Sequence, residues 1–305
     1  MKQDVGELRY RCCFVILHYK TIDETRSCIE SILQLDDIKR DAVVVVDNSY
    51  HISDTGRKLL EQYIEKENIF FITNYDNSFF SHGNNLGYQY AKKLGVKLII
   101  ATNSDTLFPQ KDFCVKLLKA MKKHSFYVCG PNIVEAVSGS GTSPIAWECS
   151  NKKETMREIE YYHNECERIR GGISNELNKA MSRRCPKIFL PVRNWQMEVM
   201  KKWIFRKHQY PVLQGSCIIV SWLYTLENDK LFYPETELYG EEQLLSFRCR
   251  ENGYKIWYEP KLKVIHKGGV SVSNDYSDMV ARTILTYERM IKAREIYLEY
   301  IGKRE

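Results

Sequence analysis

The sequence has no apolar run approaching the roughly 18 residues that a membrane-crossing helix needs. Its longest apolar stretches, Phe14-Val15-Ile16-Leu17 and Ala42-Val43-Val44-Val45-Val46, have the length of strands. The opening residues, MKQDVGELRYR, are polar and lack the apolar segment of a secretory leader, so a cytoplasmic chain is expected, at most peripheral to the inner face of the plasma membrane. Ten cysteines are scattered without a CxxC pair or metal-ligand spacing, which points to reduced, packed thiols rather than a disulfide framework. GxGxxG is absent, which weighs against a dinucleotide oxidoreductase, and GxxxxGK[ST] is absent, which weighs against a P-loop enzyme. Neither sign of charge dominates: the net charge of +6 suits phosphate-bearing ligands or an anionic surface. The basic residues are confined and no readout motif accompanies them, so nucleic acid is not an expected partner. No internal repeat or low-complexity tract is evident.

What is present is enough for one large α/β domain: 305 residues, 44% of them hydrophobic. Strand-like runs at Cys13–His18, Ala42–Val46, Ile69–Thr73 and Lys97–Ala101 alternate with helical patterns near Asp23–Leu35, Asp54–Glu67 and Asn84–Leu94. This alternation predicts a mostly parallel sheet flanked by helices. The pattern breaks at about 138–209, where a charged stretch gives way to a basic and aromatic one, Arg183–Lys207, with Trp195, Val199 and Trp203 at helical spacing. It resumes with Pro211–Val220, a helix near Glu241–Asn252 and short strands at Lys255–Tyr258 and Lys263–His266. An amphipathic helical pattern over Ser277–Ile301 closes the chain. We therefore expect a catalytic domain over 1–272, with a helical insertion at about 138–209, and a C-terminal helical extension over 273–305.

Ligands of such sheets sit beyond the carboxyl ends of the strands. The residues there are His18-Tyr19, Asp47-Asn48-Ser49, Asn74-Tyr75-Asp76 and Asn103-Ser104-Asp105, three of which combine an acid with an amide. Asp105, after the strand Leu98-Ile99-Ile100-Ala101, offers a hard oxygen ligand for Mg²⁺ or Mn²⁺. Taken alone it is also an ordinary turn former. Glu241 and Glu242 open a helix, where the dipole favours carboxylates and where one of them could act as a general base. His266, ahead of Gly268-Gly269, is a candidate metal ligand or phosphate contact, or simply a satisfied polar group. The segment Asn74–Gly87 reads as a glycine-bearing loop running into a helix, where backbone can approach a phosphate.

In their order along the chain, these motifs resemble the family-2 glycosyltransferases. They are Asp47-Asn48-Ser49, the Asn74–Gly87 loop, Asn103-Ser104-Asp105-Thr106, Gly215-Ser216-Cys217, Tyr239-Gly240-Glu241-Glu242, and His266-Lys267-Gly268-Gly269-Val270-Ser271. The bacterial rhamnosyltransferase-like branch is the closest in pattern, over roughly residues 12–272. The resemblance implies a GT-A fold, Rossmann-like in its nucleotide-binding half. It implies an inverting, metal-dependent transferase that takes a sugar from a UDP- or dTDP-linked donor to a saccharide or lipid-linked saccharide, in surface or capsular polysaccharide synthesis.

It also implies roles. Asp47 and Asn48 would contact base and ribose, with His18, Tyr19, Asn74, Gly83, Asn85, Asn103 and Ser104 around the same nucleotide sugar. Asp105 would hold Mg²⁺ or Mn²⁺, with His266 as a further ligand or diphosphate contact. Glu242 would be the base, with Glu241 beside it. The chain departs from the family pattern in beginning its metal motif with Asn103, in using Glu rather than Asp as base, and in placing Lys20 where many relatives have Asn.

Two alternatives stand beside this reading: a nucleotidyltransferase, and a catalytically silent relative that binds nucleotide sugars. The Arg183–Lys207 stretch is expected to pack on the domain, with docking on anionic lipid or lining the acceptor site as its sharper roles. The C-terminal helix is expected to pack likewise, with self-association into a homodimer or membrane contact as its other roles.

Overall fold

A computed structural model describes residues 9–49, 60–63, 66–74, 78–171, 209–268 and 279–304. The strands are β1 (Cys12–His18), β2 (Ala42–Asp47), β3 (Ile69–Thr73), β4 (Leu98–Asn103), β5 (Thr106–Leu107), β6 (Val128–Glu135), β7 (Cys217–Ser221) and β8 (Ile256–His266). They form one sheet in the order β3-β2-β1-β4-β7-β6-β8-β5. The helices are α1 (Ile22–Leu33), α2 (Phe79–Lys93), α3 (Phe113–His124), α4 (Lys152–Arg170), α5 (Trp222–Glu227), α6 (Glu241–Glu251) and α7 (Met279–Gly302).

β1 and β2 read as unbroken apolar runs because both faces are covered: successive residues of each strand enter opposite cores. Phe14, Ile16, Val43 and Val45 pack with Ile29 of α1 and Phe113 of α3 on one side. Val15, Val44 and Val46 pack with Tyr88 of α2 and Leu245 of α6 on the other. β1 pairs in parallel with β2 and β4, and β2 with β3, in a register that sets His18 beside Asp47, Asp47 beside Thr73 and Leu17 beside Asn103. The carboxyl ends of these strands therefore share one edge, as the sequence pattern requires. Beyond β4 the sheet turns mixed. β7 is antiparallel to both β4 and β6, β6 runs parallel to β8, and the short β5 returns antiparallel to β8, with Thr106 opposite His266.

Several elements differ from expectation. The helix expected from Asn84 begins at Phe79, so most of the anticipated glycine loop is helical. A Cβ on Gly87 would fall 2.2 Å from Val15 Cγ1, and one on Gly83 would fall 2.6 Å from Leu17 Cδ1. These glycines bring the backbone of α2 against β1 and β2. The strands expected at Lys255–Tyr258 and Lys263–His266 are one strand, β8, whose pairing with β6 is interrupted between Pro131 and Asn132. β5, β6 and α3 were not anticipated.

Of the helix expected at Asp54–Glu67, residues 60–63 are helical and the remainder lies largely outside the described residues. The insertion contributes α4, whose first turn is closed by reciprocal hydrogen bonds between Asn151 and Glu154. Arg183–Lys207 lies outside the described residues. α7 packs on α4 and on α6, where Leu244 and Phe247 meet Tyr297 and Ile301. No helix among the described residues is long and apolar enough to cross a membrane.

Candidate active site

The sheet edge made by β1, β2 and β3 is organised by amides. Asp47, 8% exposed, accepts a hydrogen bond from the Ser49 backbone N–H at 3.0 Å, which turns the chain sharply after β2. Asn48 is buried and donates from Nδ2 to the Phe79 carbonyl at 3.1 Å, while its Oδ1 accepts from Asn74 Nδ2 at 2.8 Å and from the Ser78 N–H at 3.3 Å. The loops after β2 and β3 are thereby fastened to the first turn of α2. His18 lies beneath this edge, wholly buried, with Nδ1 2.6 Å from Thr25 Oγ1 and no protein partner for Nε2. Burial holds its imidazole below the usual value although Asp47 pulls the other way, so His18 is neutral. Tyr19, half-buried, carries the Lys20 ammonium 4.9 Å from its ring centroid.

The turn from β4 to β5 places Asp105. Thr106 Oγ1 donates to the Asn103 carbonyl at 2.7 Å, and Ser104 Oγ lies 3.1 Å from Thr21 Oγ1 of the segment leading into α1. Asp105 is 5% exposed, and its Oδ1 lies 3.2 Å from His266 Nε2. Its Oδ2 accepts from the Gly268 N–H at 3.2 Å, and its carbonyl accepts from the Lys267 N–H at 3.0 Å. Two residues 161 positions apart in sequence are thus joined by the β5–β8 pairing. A fixed carboxylate oxygen beside an imidazole nitrogen is a donor set that fits a divalent cation such as Mn²⁺ or Mg²⁺.

One other cluster among the described residues, Cys12, Asp41 and Cys114, also has ligand atoms close together. It sits at the opposite, amino end of β1 and β2. Asp41 is already engaged there by Arg11 Nη2 at 2.8 Å and by the Cys12 N–H at 3.2 Å.

The acidic pair opens α6 after Tyr239 and Gly240, both in left-handed backbone (φ 70° and 83°). At Gly240 a Cβ would lie 3.0 Å from that of Ala293 on α7, so glycine serves both the turn and the close approach. Glu242 is half-buried, and its Oε1 accepts from the Gly215 N–H at 3.1 Å. A Cβ at position 215 would fall 2.5 Å from that oxygen, so glycine is what admits the carboxylate. The same segment reaches the β4–β5 turn: the Ser216 carbonyl accepts from the Asn103 N–H at 3.0 Å and from Thr102 Oγ1 at 3.1 Å. Residues 215–216 therefore tie Glu242 to the strand end that carries Asp105.

Glu241 faces inward at 3% exposure, and its Oε2 accepts from Thr236 Oγ1 at 2.9 Å. Burial raises both carboxyls. Glu241 is pushed up to about 8 by burial first and the Glu242 charge second. The unfolded chain ionises this side chain near ~4.3. Its contribution to stability is therefore whole below that value and is lost as pH climbs toward about 8. Glu241→Gln keeps the Thr236 bond but cannot ionise. It should leave Tm nearly unchanged at about pH 5 and raise it at about pH 8, read by scanning calorimetry at both values. Equal Tm changes at the two values would mean that Glu241 is charged in the fold.

Gly83 and Asn85 both lie within α2. Gly83 sits against the edge, where a Cβ would fall 3.4 Å from Asn48 Cγ, whereas Asn85 turns to another segment. Asn85 is buried, donates to the Phe232 carbonyl at 2.9 Å and to Glu235 Oε1 at 3.0 Å, and accepts from the Phe232 N–H at 3.0 Å, so it fastens α2 to the segment before α6. Sequence reasoning missed Thr236, together with Ser81, whose Oγ lies 3.1 Å from Thr236 Oγ1. Small hydroxyl residues in a loop and a helix carry no signal of such a contact.

No curated protein matches the chain. Among solved structures, S. aureus TarS 1-349 aligns with 91% of the chain and 70% of its own length, at 14% identity and a TM-score of 0.54. The same TarS fragment in complex with UDP-GlcNAc aligns at 15% identity and a TM-score of 0.54, over 91% of this chain and 66% of that one. The mannosyltransferase PcManGT from Pyrobaculum calidifontis, in complex with GDP-Man and Mn²⁺, aligns at 11% identity and a TM-score of 0.51, over 96% and 75%. In two further TarS alignments the chain spans only 36% and 22% of the matched chain. At these identities the likeness speaks for the fold, a GT-A arrangement of a mixed sheet between helices. The sequence profile described as Glycosyl transferase family 2 matches residues 13–175, more than half of the chain. On that match, the chain belongs to glycosyl transferase family 2.

Proposed function

We propose that the chain is an inverting, metal-dependent glycosyltransferase that moves a sugar from a UDP- or dTDP-linked donor to a saccharide or lipid-linked saccharide, as in the assembly of a surface polysaccharide. The observation that carries this reading is the convergence at one edge of Asp105 with His266 at 3.2 Å and of Glu242 on Gly215 at 3.1 Å, joined through residues 215–216. The UDP-GlcNAc and GDP-Man complexes of the structural relatives support a nucleotide-sugar donor. Asp47, Asn48 and Asn74, fixed by one another and by Ser78, form the rim where base and ribose would lie.

The two ends of the site divide the chemistry. Asp105 and His266 would hold the divalent cation, which when bound offsets the charge gathering on the departing nucleoside diphosphate. Glu242 takes the proton from the acceptor hydroxyl as that oxygen bonds to the anomeric carbon from the face opposite the phosphate. The bond from the anomeric carbon to the phosphate oxygen breaks in the same displacement, which inverts the centre. A carboxyl raised above its ordinary value, as burial makes Glu242, is a better proton acceptor once ionised. Asn103 and Ser104 fix the turn under Asp105 and need not touch the donor for this purpose.

A thermal-shift screen of nucleoside diphosphates and their sugars, with and without Mn²⁺, tests the reading. One nucleotide should raise Tm strongly with the ion and weakly without it, since a ligand at ~100 times its Kd stabilises by about 2.7 kcal/mol. If no nucleotide shifts Tm with any ion, the reading is wrong.

A further inference from the structure

We infer that Thr236 is a positioning residue for the reaction: with Ser81 it forms a buried hydroxyl pair that fixes which carboxylate of the acidic pair faces the site. The inference rests on the reading of Glu242 as the base. Glu241 and Glu242 are consecutive at the head of α6, so their side chains leave the helix about 100° apart. The rotation of this first turn therefore decides which of them faces the cleft. Gly240, which opens the helix, has no side chain to set that rotation. The partners of Glu241 set it instead. Glu241 is buried, and its Oε2 accepts from Thr236 Oγ1 at 2.9 Å. That bond uses the single hydroxyl hydrogen of Thr236, so in the 3.1 Å contact between Ser81 Oγ and Thr236 Oγ1 it is Ser81 that donates. The Thr236 N–H donates back to Ser81 Oγ at 3.2 Å.

The hydroxyl pair anchors the acidic turn to the rim after β2. Ser81 lies in the first turn of α2, whose Phe79 carbonyl accepts from Asn48 Nδ2 at 3.1 Å. In the same turn the Phe80 N–H donates to the Glu237 carbonyl at 2.9 Å. Contacts thus run from Asn48 through α2 and residues 236–237 to Glu241, and from the next residue, Glu242, to the Gly215 N–H. With Glu241 locked inward, Glu242 is the carboxylate that meets Gly215. Thr236 is itself buried and acts through Glu241 rather than on the reacting groups.

The Gly215 amide reports the placement of Glu242 without substrate, because its proton resonance follows the hydrogen bond that it donates. Thr236→Val keeps the shape of the side chain and removes the hydroxyl. It strands a buried carboxyl oxygen and the Ser81 hydroxyl, which the turn relieves by rotating. In ¹H–¹⁵N spectra of the full chain the Gly215 resonance should move toward the position that it takes in Glu242→Ala. Transfer should lose about 10²-fold in kcat, the cost of roughly a 1 Å displacement at a reacting centre, with KM for the donor little altered. Thr236→Ser, which restores the hydroxyl, should return both the resonance and kcat. Ser81→Ala removes the outer partner alone. It should give a smaller shift of the same sign, and it is the test if the valine variant does not fold. A Gly215 resonance that keeps its wild-type position in the folded variant overturns the proposal, and so does a loss that serine fails to restore. A resonance that moves as stated while transfer is unchanged, or is absent even in the wild type, counts against the functional reading alone.

Discussion

Glu242→Gln should reduce sugar transfer by about 10²- to 10⁴-fold, the range that a positioned general base supplies. The glutamine keeps an oxygen that can accept from Gly215, so the contact at 3.1 Å and the fold of the turn survive the change. Nucleotide-sugar affinity, measured by calorimetry with Mn²⁺ present, should stay within about twofold, because binding and proton removal use different ends of the site. Steady-state kinetics should show the loss in kcat with KM for the donor little altered, the pattern of an interaction made in the transition state. Retained turnover would remove Glu242 from its role and leave Glu241 to be tested next.

The second large effect is expected at Asp105. Asp105→Ala removes the carboxylate that faces His266 and the acceptor of the Gly268 N–H. Transfer should fall by at least about 10²-fold, as when one group that stabilises developing charge is lost. Unlike the base variant, this one should also lose the Mn²⁺-dependent part of nucleotide binding, so that calorimetric Kd values with and without Mn²⁺ converge. Asp105→Asn separates charge from shape, since it retains an oxygen for Gly268 while weakening the hold on the cation. Nucleotide affinity that still depends on the ion in both variants would refute the assignment of the metal end.

Much of the site edge was legible because of what parallel strands require. A strand covered on both faces must be apolar throughout, so β1, β2 and β4 announce themselves, and the polar residues after them fall at the ligand-bearing edge. That argument found Asp47, Asn48 and Asp105 from position alone. It could not pair Asp105 with His266, because their contact depends on the two-residue strand β5 meeting the end of β8. Only the order of motifs shared with a known family suggested that partnership.

Other features were hidden for local reasons. β6 was missed because Gly130-Pro131-Asn132 breaks its apolar run. The start of α2 was placed too late because Gly83, Asn84 and Asn85 look like a loop. Two of these are buried amides and the third lets the helix touch the sheet. The Glu242–Gly215 contact has no sequence signature, since nothing in a glycine before a strand reveals that a carboxylate needs its space.

The sheet order carries a consequence for how the chain is made. β4 ends at Asn103, but its outer neighbour β7 does not begin until Cys217. On the ribosome the four strands β3-β2-β1-β4 can assemble while the outer side of β4 still offers unpaired backbone, and β6 has both of its neighbours later in the chain. For the time it takes to synthesise the intervening segment, the nascent polypeptide presents a bare ladder to its surroundings. Release of a product ending before Cys217 should therefore yield an insoluble fragment, whereas the longer chain seals that seam as β7 slides in between β4 and β6.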